Sequence, residues 1–411
     1  MENIVVLGFA GNIGMGLLSF LDKIILNEHE VLSSILKNSI LHCIDIKDCD
    51  KERSHLNIKK YQVDIYSNTF EALLKEINPS LIIDCSDVYW DRIFPLIDNK
   101  NIKYINTAIE DNNSKAKRCF DFIKQKSKWQ IKGIIGAGAN SGWVQWVAKT
   151  TIEKYGNHNL TGIYIIEKDT GIQNNPQDNT IYLTWNLYKY LDETLVSHVY
   201  FDKGEIVVLP KNSFNYLIPV KINEEFNFSG ALVSHDETLE LSEKYKVESS
   251  YIYEINTHSL KILEENFKDT YIEFIDSNSN VYNEKILSIF KNKGFRIYNA
   301  DHTVKGKDYL GNLFVYNDKQ IAVYEVEDHE NCIKEYDMNA TVYQVVCGLY
   351  AGICSLLLDP LTNEIYMITD LIYTENNKYG DYLTKHLRNW FEEITYDNQI
   401  ALKKYLHSLT R

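Results

Sequence analysis

The chain has 411 residues, with 43 basic and 57 acidic side chains and a net charge of −14. At about 100–200 residues per domain this predicts two or three compact units with sizeable cores, and 45% apolar with 24% charged residues excludes wholesale disorder. An acidic excess without a Lys/Arg block argues against nucleic acid, because a phosphate backbone selects a basic face.

In chain order, IVVLG at Ile4 to Gly8 reads as a first strand, followed by a helix from about Asn12 to Leu21. Further strands are predicted at Ile40 to Ile46, Tyr61 to Ile65 and Leu81 to Asp87, with a helix between the last two carrying Phe70, Leu73, Leu74 and Ile77 and stopped by Pro79. A segment near Lys103, a helix near Ser114 to Lys126 and the run IKGIIGAGAN near Ile131 complete a first domain over residues 1–150. Short Ile/Val runs alternating with helices predict a doubly wound parallel sheet.

After Tyr155 the texture changes to Thr/Tyr/Val alternation, as in LTGIYIIEKD and NTIYLTWNLY. This predicts an α+β domain over 151–335 with a mixed or antiparallel sheet. Residues 336–411 then read as a helical return packing on the first domain. Its long helix is capped by Asn339 or Thr341 and closed by Pro360, and helix-like segments follow near Tyr382 to Ile394 and Asn398 to Leu409. The apolar run Val345 to Leu358, interrupted by Gly348, Gly352 and Ser355, is shorter than the roughly 20 residues of a membrane span and reads as a buried helix.

Seven scattered cysteines without a C-x-x-C pair argue against a disulfide framework or zinc knuckle and predict a reducing, cytoplasmic location. The first residues lack the basic start and apolar stretch of a signal peptide. No metal site is predicted, since Asp301 with His302 and His329 with Glu330 lack partners at ligand spacing. Trp143 and Trp146, at i and i+3, read as packing residues.

GFAGNIGMG sets Gly8, Gly11 and Gly14 between a strand and a helix. The first glycine allows a tight turn, the second a close approach of backbone N–H groups to a pyrophosphate, and the third close helix packing. Gly8, Gly11, Asn12, Ile13 and Gly14 are therefore the predicted cofactor-binding loop of a Rossmann-type domain. Asp45 ends the second strand, where a carboxylate accepts ribose hydroxyls and repels a 2′-phosphate, which favours NAD. The interval from Gly14 to Asp45 exceeds the usual ~20 residues, so an insertion is expected. Ligands of open α/β sheets bind beyond the carboxyl ends of the strands, and here those ends carry Asp84, Asp87, Glu110, Asp111 and Asn140, with Glu167, Asp169 and Trp185 following. Such carboxylates beside an aromatic face suit a positively charged amine.

Several stretches resemble the bacterial-type homospermidine synthases, within the broader saccharopine dehydrogenase-like group: GFAGNIGMG, GANSGWVQWV, IYIIEKDT with TWNLYKYLDE, KDYLGNLFVY, and NATVYQVVCGLYAGICSLLLDP. The resemblance implies an NAD-dependent aminobutyl transferase and a homodimer. It would oxidise putrescine to an imine, release ammonia, let a second putrescine add and reduce the new imine with the same cofactor. It also implies roles: Trp185 holds the cationic intermediate, Glu167 shuttles protons, Glu193 anchors a distal ammonium, and Asn140, Glu110 and Asp87 surround the inner pocket. This sequence departs from the family at Ser141, where a proline is usual, and at SSYIYEIN (Ser249 to Asn256), which lacks a histidine and a Pro-Cys-Asp run; His258 lies close by. Two alternatives stay open: a related amine or amino-acid dehydrogenase with stoichiometric cofactor, and a non-catalytic NAD-binding sensor.

Overall fold

The computed structural model describes residues 2–47, 53–86, 88, 90–108, 122–195, 197–270, 288–299, 303–396 and 408. Its strands are β1 (Glu2–Leu7), β2 (Ser39–Asp45), β3 (Ile58–Gln62), β4 (Leu81–Asp84), β5 (Lys103–Asn106), β6 (Gly133–Ile135), β7 (Leu160–Asp169), β8 (Thr180–Leu183) and β9 (Ser197–Asp202). They continue with β10 (Glu205–Asn212), β11 (Leu217–Lys221), β12 (Asn227–Val233), β13 (Glu248–Glu254), β14 (Arg296–Asn299), β15 (Lys307–Tyr316), β16 (Gln320–Asp328), β17 (Ile365–Met367) and β18 (Trp390–Thr395).

Near-continuous Ile/Val/Leu runs in β1, β2 and β4 are what a strand buried on both faces needs. They form a seven-stranded parallel sheet in the order β17-β6-β5-β4-β1-β2-β3. The order reverses at β1, so the crevice beyond the carboxyl ends of β1 and β4 is the natural ligand position. The second sheet has nine strands, in the order β10-β9-β13-β7-β15-β16-β18, with β11 and β12 added through β13. It is mixed, because β13 runs parallel to β7 while β15 pairs with β7 antiparallel. The α/β class with a second mixed sheet is thus the architecture the sequence predicts.

Helix ends follow local chemistry. Ser67 Oγ accepts from Phe70 N (3.2 Å) to open the helix Asn68–Ile77, and Asn78 closes it in the left-handed conformation (φ 48°) before Pro79. The helix Ala340–Leu358 is capped by Asn339, whose Oδ1 accepts from Val342 N (2.9 Å). By length and composition it could cross a membrane. In this fold it is largely buried, touching β5 and β6 of the first sheet and β15 and β16 of the second. One apolar core joins the two sheets, running from Ile4 and Val6 of β1 through Trp143 to Ile163, Ile165, Leu310 and Val323.

Several expected boundaries shift. The strand predicted at Tyr61 to Ile65 is β3, centred earlier, and β4 stops at Asp84. The insertion between Gly14 and Asp45 contains the short helix Ser33–Lys37. Of the helix predicted near Ser114 to Lys126, residues 122–125 are helical and 114–121 lie outside the described residues. The third segment is not purely helical. β17 joins β6 in the first sheet, and the predicted helix Tyr382 to Ile394 is a short helix, Tyr379–Leu383, followed by β18 paired antiparallel with β16. The run WFEEIT has no apolar/polar alternation, but its aromatic and β-branched residues Trp390, Phe391, Ile394 and Thr395 suit an edge strand once β16 is beside it. The helix predicted at Asn398 to Leu409 lies outside the described residues apart from Ser408.

Candidate active site

β1 leads into the glycine loop. Gly8 has φ +70°, and a Cβ there would meet the backbone of Cys85 and Ser86 at 2.7 Å. A Cβ on Gly14 would stand 2.3 Å from the Gly8 carbonyl oxygen. No L side chain fits either position, and the loop lies flat against the start of the helix Asn12–Ile24. The amides of Asn12, Ile13 and Gly14 open that helix, where first-turn N–H groups lack intrahelical acceptors and favour an anion. Asp45 accepts from Ala10 N through Oδ2 (3.0 Å) and from Lys47 N through Oδ1 (2.9 Å). Each oxygen keeps a lone pair for a further donor such as a ribose hydroxyl. The cradle therefore fits a dinucleotide.

At the next strand ends, Asp84 accepts from Ser86 N (2.9 Å), Ser86 Oγ (2.6 Å) and Tyr104 Oη (2.8 Å), which ties it to the sheet. Asp87 and Glu110, both expected in the inner pocket, lie outside the described residues, as does Asp111. Asn140 sits in the loop after β6. That loop is braced by Gly138 N to Ser141 O (2.7 Å), Gln145 Nε2 to Ser141 Oγ (2.8 Å) and Gly142 N to Gln145 Oε1 (2.6 Å). So held, Asn140 Nδ2 reaches across to the second sheet, donating to Glu167 Oε2 (3.1 Å) and Tyr251 Oη (2.5 Å).

Alternation along β7 puts Glu167 and Asp169 on the face turned to the first sheet. Asp308 on β15 stands opposite both Asp169 and Glu327, while Leu310 stands opposite Glu167 and Glu325. Glu167, Asp169, Asp308, Glu325 and Glu327 are all buried. Burial, then repulsion from Asp308, Asp169, Glu237 and Glu193, pushes the Glu167 carboxyl well above the usual carboxylate range. Burial first and Asp169 next raise Asp308 to about 8, and burial raises Glu327 to about 7.

Tyr251 and Tyr253 on β13 share this face, with ring centroids 6.1 Å apart and nearly parallel planes. Tyr251 Oη donates to Glu167 Oε2. Trp185, two residues beyond β8, donates from Nε1 to Tyr253 Oη (3.0 Å) and meets Tyr190 edge-on at 6.2 Å. His235 packs 5.0 Å from the Tyr251 ring; its Nδ1 is 2.5 Å from Glu237 Oε2 and its Nε2 3.9 Å from Glu193 Oε1. Asn140, Glu167, Glu193 and Trp185 thus converge through Tyr251, His235 and Tyr253. Sequence reading missed those three links. For the two tyrosines the signal was the Y-I-Y alternation inside SSYIYEIN, the stretch that departs from the family; His235, ahead of the helix Asp236–Tyr245, carried none. His258 is half-buried and bonds the Thr180 carbonyl (3.1 Å), bracing β8. Trp143 is fully buried, and Trp146 packs on Trp390. Among the described residues, no group of three His, Cys, Asp or Glu side chains could hold a metal ion.

No family model matches the sequence, and no curated protein matches it. Among solved structures, the fold is similar to saccharopine dehydrogenase (L-Glu forming) from Saccharomyces cerevisiae, with a TM-score of 0.60 and 11% identity over 96% of this chain and 100% of that one. An NAD binding oxidoreductase from Klebsiella pneumoniae aligns over 96% of this chain and 99% of its own, at 9% identity and a TM-score of 0.38. The first likeness defines the class of fold: a Rossmann-like parallel sheet joined to a mixed-sheet domain, as in saccharopine dehydrogenase.

Proposed function

We propose that this chain is an NAD-dependent enzyme of amine chemistry, a homospermidine synthase that joins two putrescine molecules with loss of ammonia. The observation that carries the reading is the company of Glu167. Its strongest charged neighbours, Asp308, Asp169, Glu237 and Glu193, are all carboxylates, and an aromatic wall of Trp185, Tyr251 and Tyr253 stands beside them. A buried excess of carboxylates is costly until a cation neutralises it. A diamine brings two positive charges and no carboxylate of its own, which favours it over an α-amino acid.

The glycine cradle, the amides of Asn12, Ile13 and Gly14, and Asp45 would hold the dinucleotide. Bound there, the nicotinamide supplies a hydride acceptor in the first half-reaction and a donor in the second. Glu167 takes the proton that must leave the amine before its carbon can lose hydride, and returns one to the product amine. Asn140 and Tyr251 hold the Glu167 carboxyl in place. Trp185 offers its face to the cationic intermediate, and Glu193 pairs with the distal ammonium group. In this reading Asp87 and Glu110 line the inner pocket, and the active enzyme is a cytoplasmic homodimer.

Incubation of the purified protein with putrescine and trace NAD, followed by mass spectrometry, tests the reading. Homospermidine and ammonia are expected, with no net change in NADH absorbance. Steady NADH formation instead would identify a stoichiometric amine dehydrogenase, and NAD binding without any product would identify a sensor.

A further inference from the structure

Beside Glu167 lies a chain of hydrogen bonds that the chemistry above leaves unused. Thr341 Oγ1 is 2.6 Å from Asp308 Oδ2 and 3.0 Å from Thr184 Oγ1, and Thr184 Oγ1 is bonded to Asp169 Oδ2. Three O···O contacts need three protons. The two threonine hydroxyls carry one each, so the third belongs to one of the two carboxyls.

Geometry decides which. Asp169 Oδ1 already accepts from Gly171 N (2.7 Å) and from His329 Nε2 (3.0 Å). His329 Nδ1 accepts from Ala340 N (3.1 Å), so its ring proton sits on Nε2 and the imidazole is neutral. Asp169 is thus surrounded by donors, as an anion requires. Asp308 is fully buried, and its Oδ1 has no hydrogen-bond partner among the described residues, as suits a neutral acid. The chain therefore runs Asp308 O–H to Thr341, Thr341 O–H to Thr184, and Thr184 O–H to the Asp169 carboxylate.

We propose that Asp308, Thr341, Thr184 and Asp169 form a wire holding one proton between two carboxyl groups, and that the wire sets the charge presented to Glu167. In a concerted shift, Asp308 gives its proton to Thr341, Thr341 gives its own to Thr184, and Thr184 gives its own to Asp169. Three O–H bonds break and three form, and one proton has moved from Asp308 to Asp169. Both carboxyl groups act on Glu167, Asp308 more strongly. Moving the proton toward Asp308 eases ionisation of Glu167, and moving it away favours the protonated acid, the two states that amine oxidation and imine reduction demand in turn. Asp308 also faces Glu327 and His329, and it acts in turn on Glu325. The upward displacement of Asp308 to about 8 agrees with the proton count. Asp308, Thr341 and Thr184 are positioning residues acting through Glu167. Their role in turnover rests on the proposed amine chemistry, whereas the proton itself does not.

The test is infrared spectroscopy of the full chain without substrate, following the C=O stretch of protonated carboxyls. At pH 7 the wild type is expected to show a band that Asp308→Asn deletes, Thr341→Val shifts and Thr341→Ser restores. In Asp308→Asn the side-chain amide donates to Thr341 as the acid does, so the fold is kept even if Thr341→Val proves unstable. In turnover, kcat/KM of the wild type should fall about tenfold per pH unit above about 8, and Asp308→Asn should lose that limb. A spectrum unchanged by Asp308→Asn overturns the wire, whatever products form. A band that responds as stated, with no homospermidine produced, leaves the wire and removes the proposed function.

Discussion

Trp185 and Tyr253 are joined by one hydrogen bond, Nε1 to Oη at 3.0 Å, but they offer a cation different things. The indole face attracts an ammonium group by about 0.5–2 kcal/mol, while the Trp185 N–H only fixes the angle of Tyr253. The two contributions separate by substitution. On the proposed function, Trp185→Ala should lower kcat/KM for putrescine by roughly 2- to 30-fold, the equivalent of that energy, and leave NAD binding unchanged. Trp185→Phe keeps a ring face and should recover most of the loss. A wild-type kcat/KM in Trp185→Ala, measured by initial rates across substrate concentration, would remove the indole from the site. At this scale the sequence is legible where chemistry is distinctive: Glu167, Asp169, Trp185 and Glu193 stand out as charged or aromatic residues in strand-like or capping context. Thr184, Thr341 and Tyr251 do not, because a threonine or tyrosine acquires its role only from what the fold sets opposite it.

Gly348 illustrates how an element can mislead when read alone. In sequence it interrupts an apolar run. In the fold, a Cβ at Gly348 would stand 1.8 Å from the Gly138 carbonyl oxygen, in the loop that carries Asn140. The helix Ala340–Leu358 lies directly on the Asn140 loop at that point, and Gly352 similarly approaches Ile105 of β5. Helix propensity alone would make Gly348→Ala stabilising by about 1 kcal/mol. Overpacking against backbone that cannot retreat should instead destabilise by about 1–3 kcal/mol. The sign of the change in thermal midpoint therefore decides between the two, and a rise would mean that the helix does not press on this loop. The parallel sheet is legible because its strands and helices alternate locally. The second sheet is legible as a mixed or antiparallel sheet but not in its strand order, because β13, β7 and β15 come together from distant parts of the chain, and nothing in WFEEIT points to β16 until the two are adjacent.

At the scale of the molecule, the buried carboxyls tie stability to pH. Asp308 is raised to about 8 and Glu327 and Glu240 to about 7, burial being the first cause in each. The folded protein therefore binds protons that the unfolded chain, with ordinary carboxyls near 4, has released. For a group raised on folding the contribution is fully present below its unfolded value and is lost as pH rises toward the folded one. The thermal midpoint of the ligand-free protein should consequently fall as pH rises from about 5 to 8. The net charge of −14 pushes the same way through surface repulsion, but about 1 M salt shortens that repulsion to roughly 3 Å and leaves buried groups nearly untouched. The decline should survive in high salt. If the proposed function holds, putrescine supplies the missing positive charge, and its binding should release protons and raise the midpoint more at pH 8 than at pH 5, where the same carboxyls are already neutral. Thermal unfolding at both pH values, with and without putrescine, checks this. An equal shift at the two pH values would mean that the diamine does not sit among these carboxyls, since only groups able to change charge can make its binding depend on pH in this range.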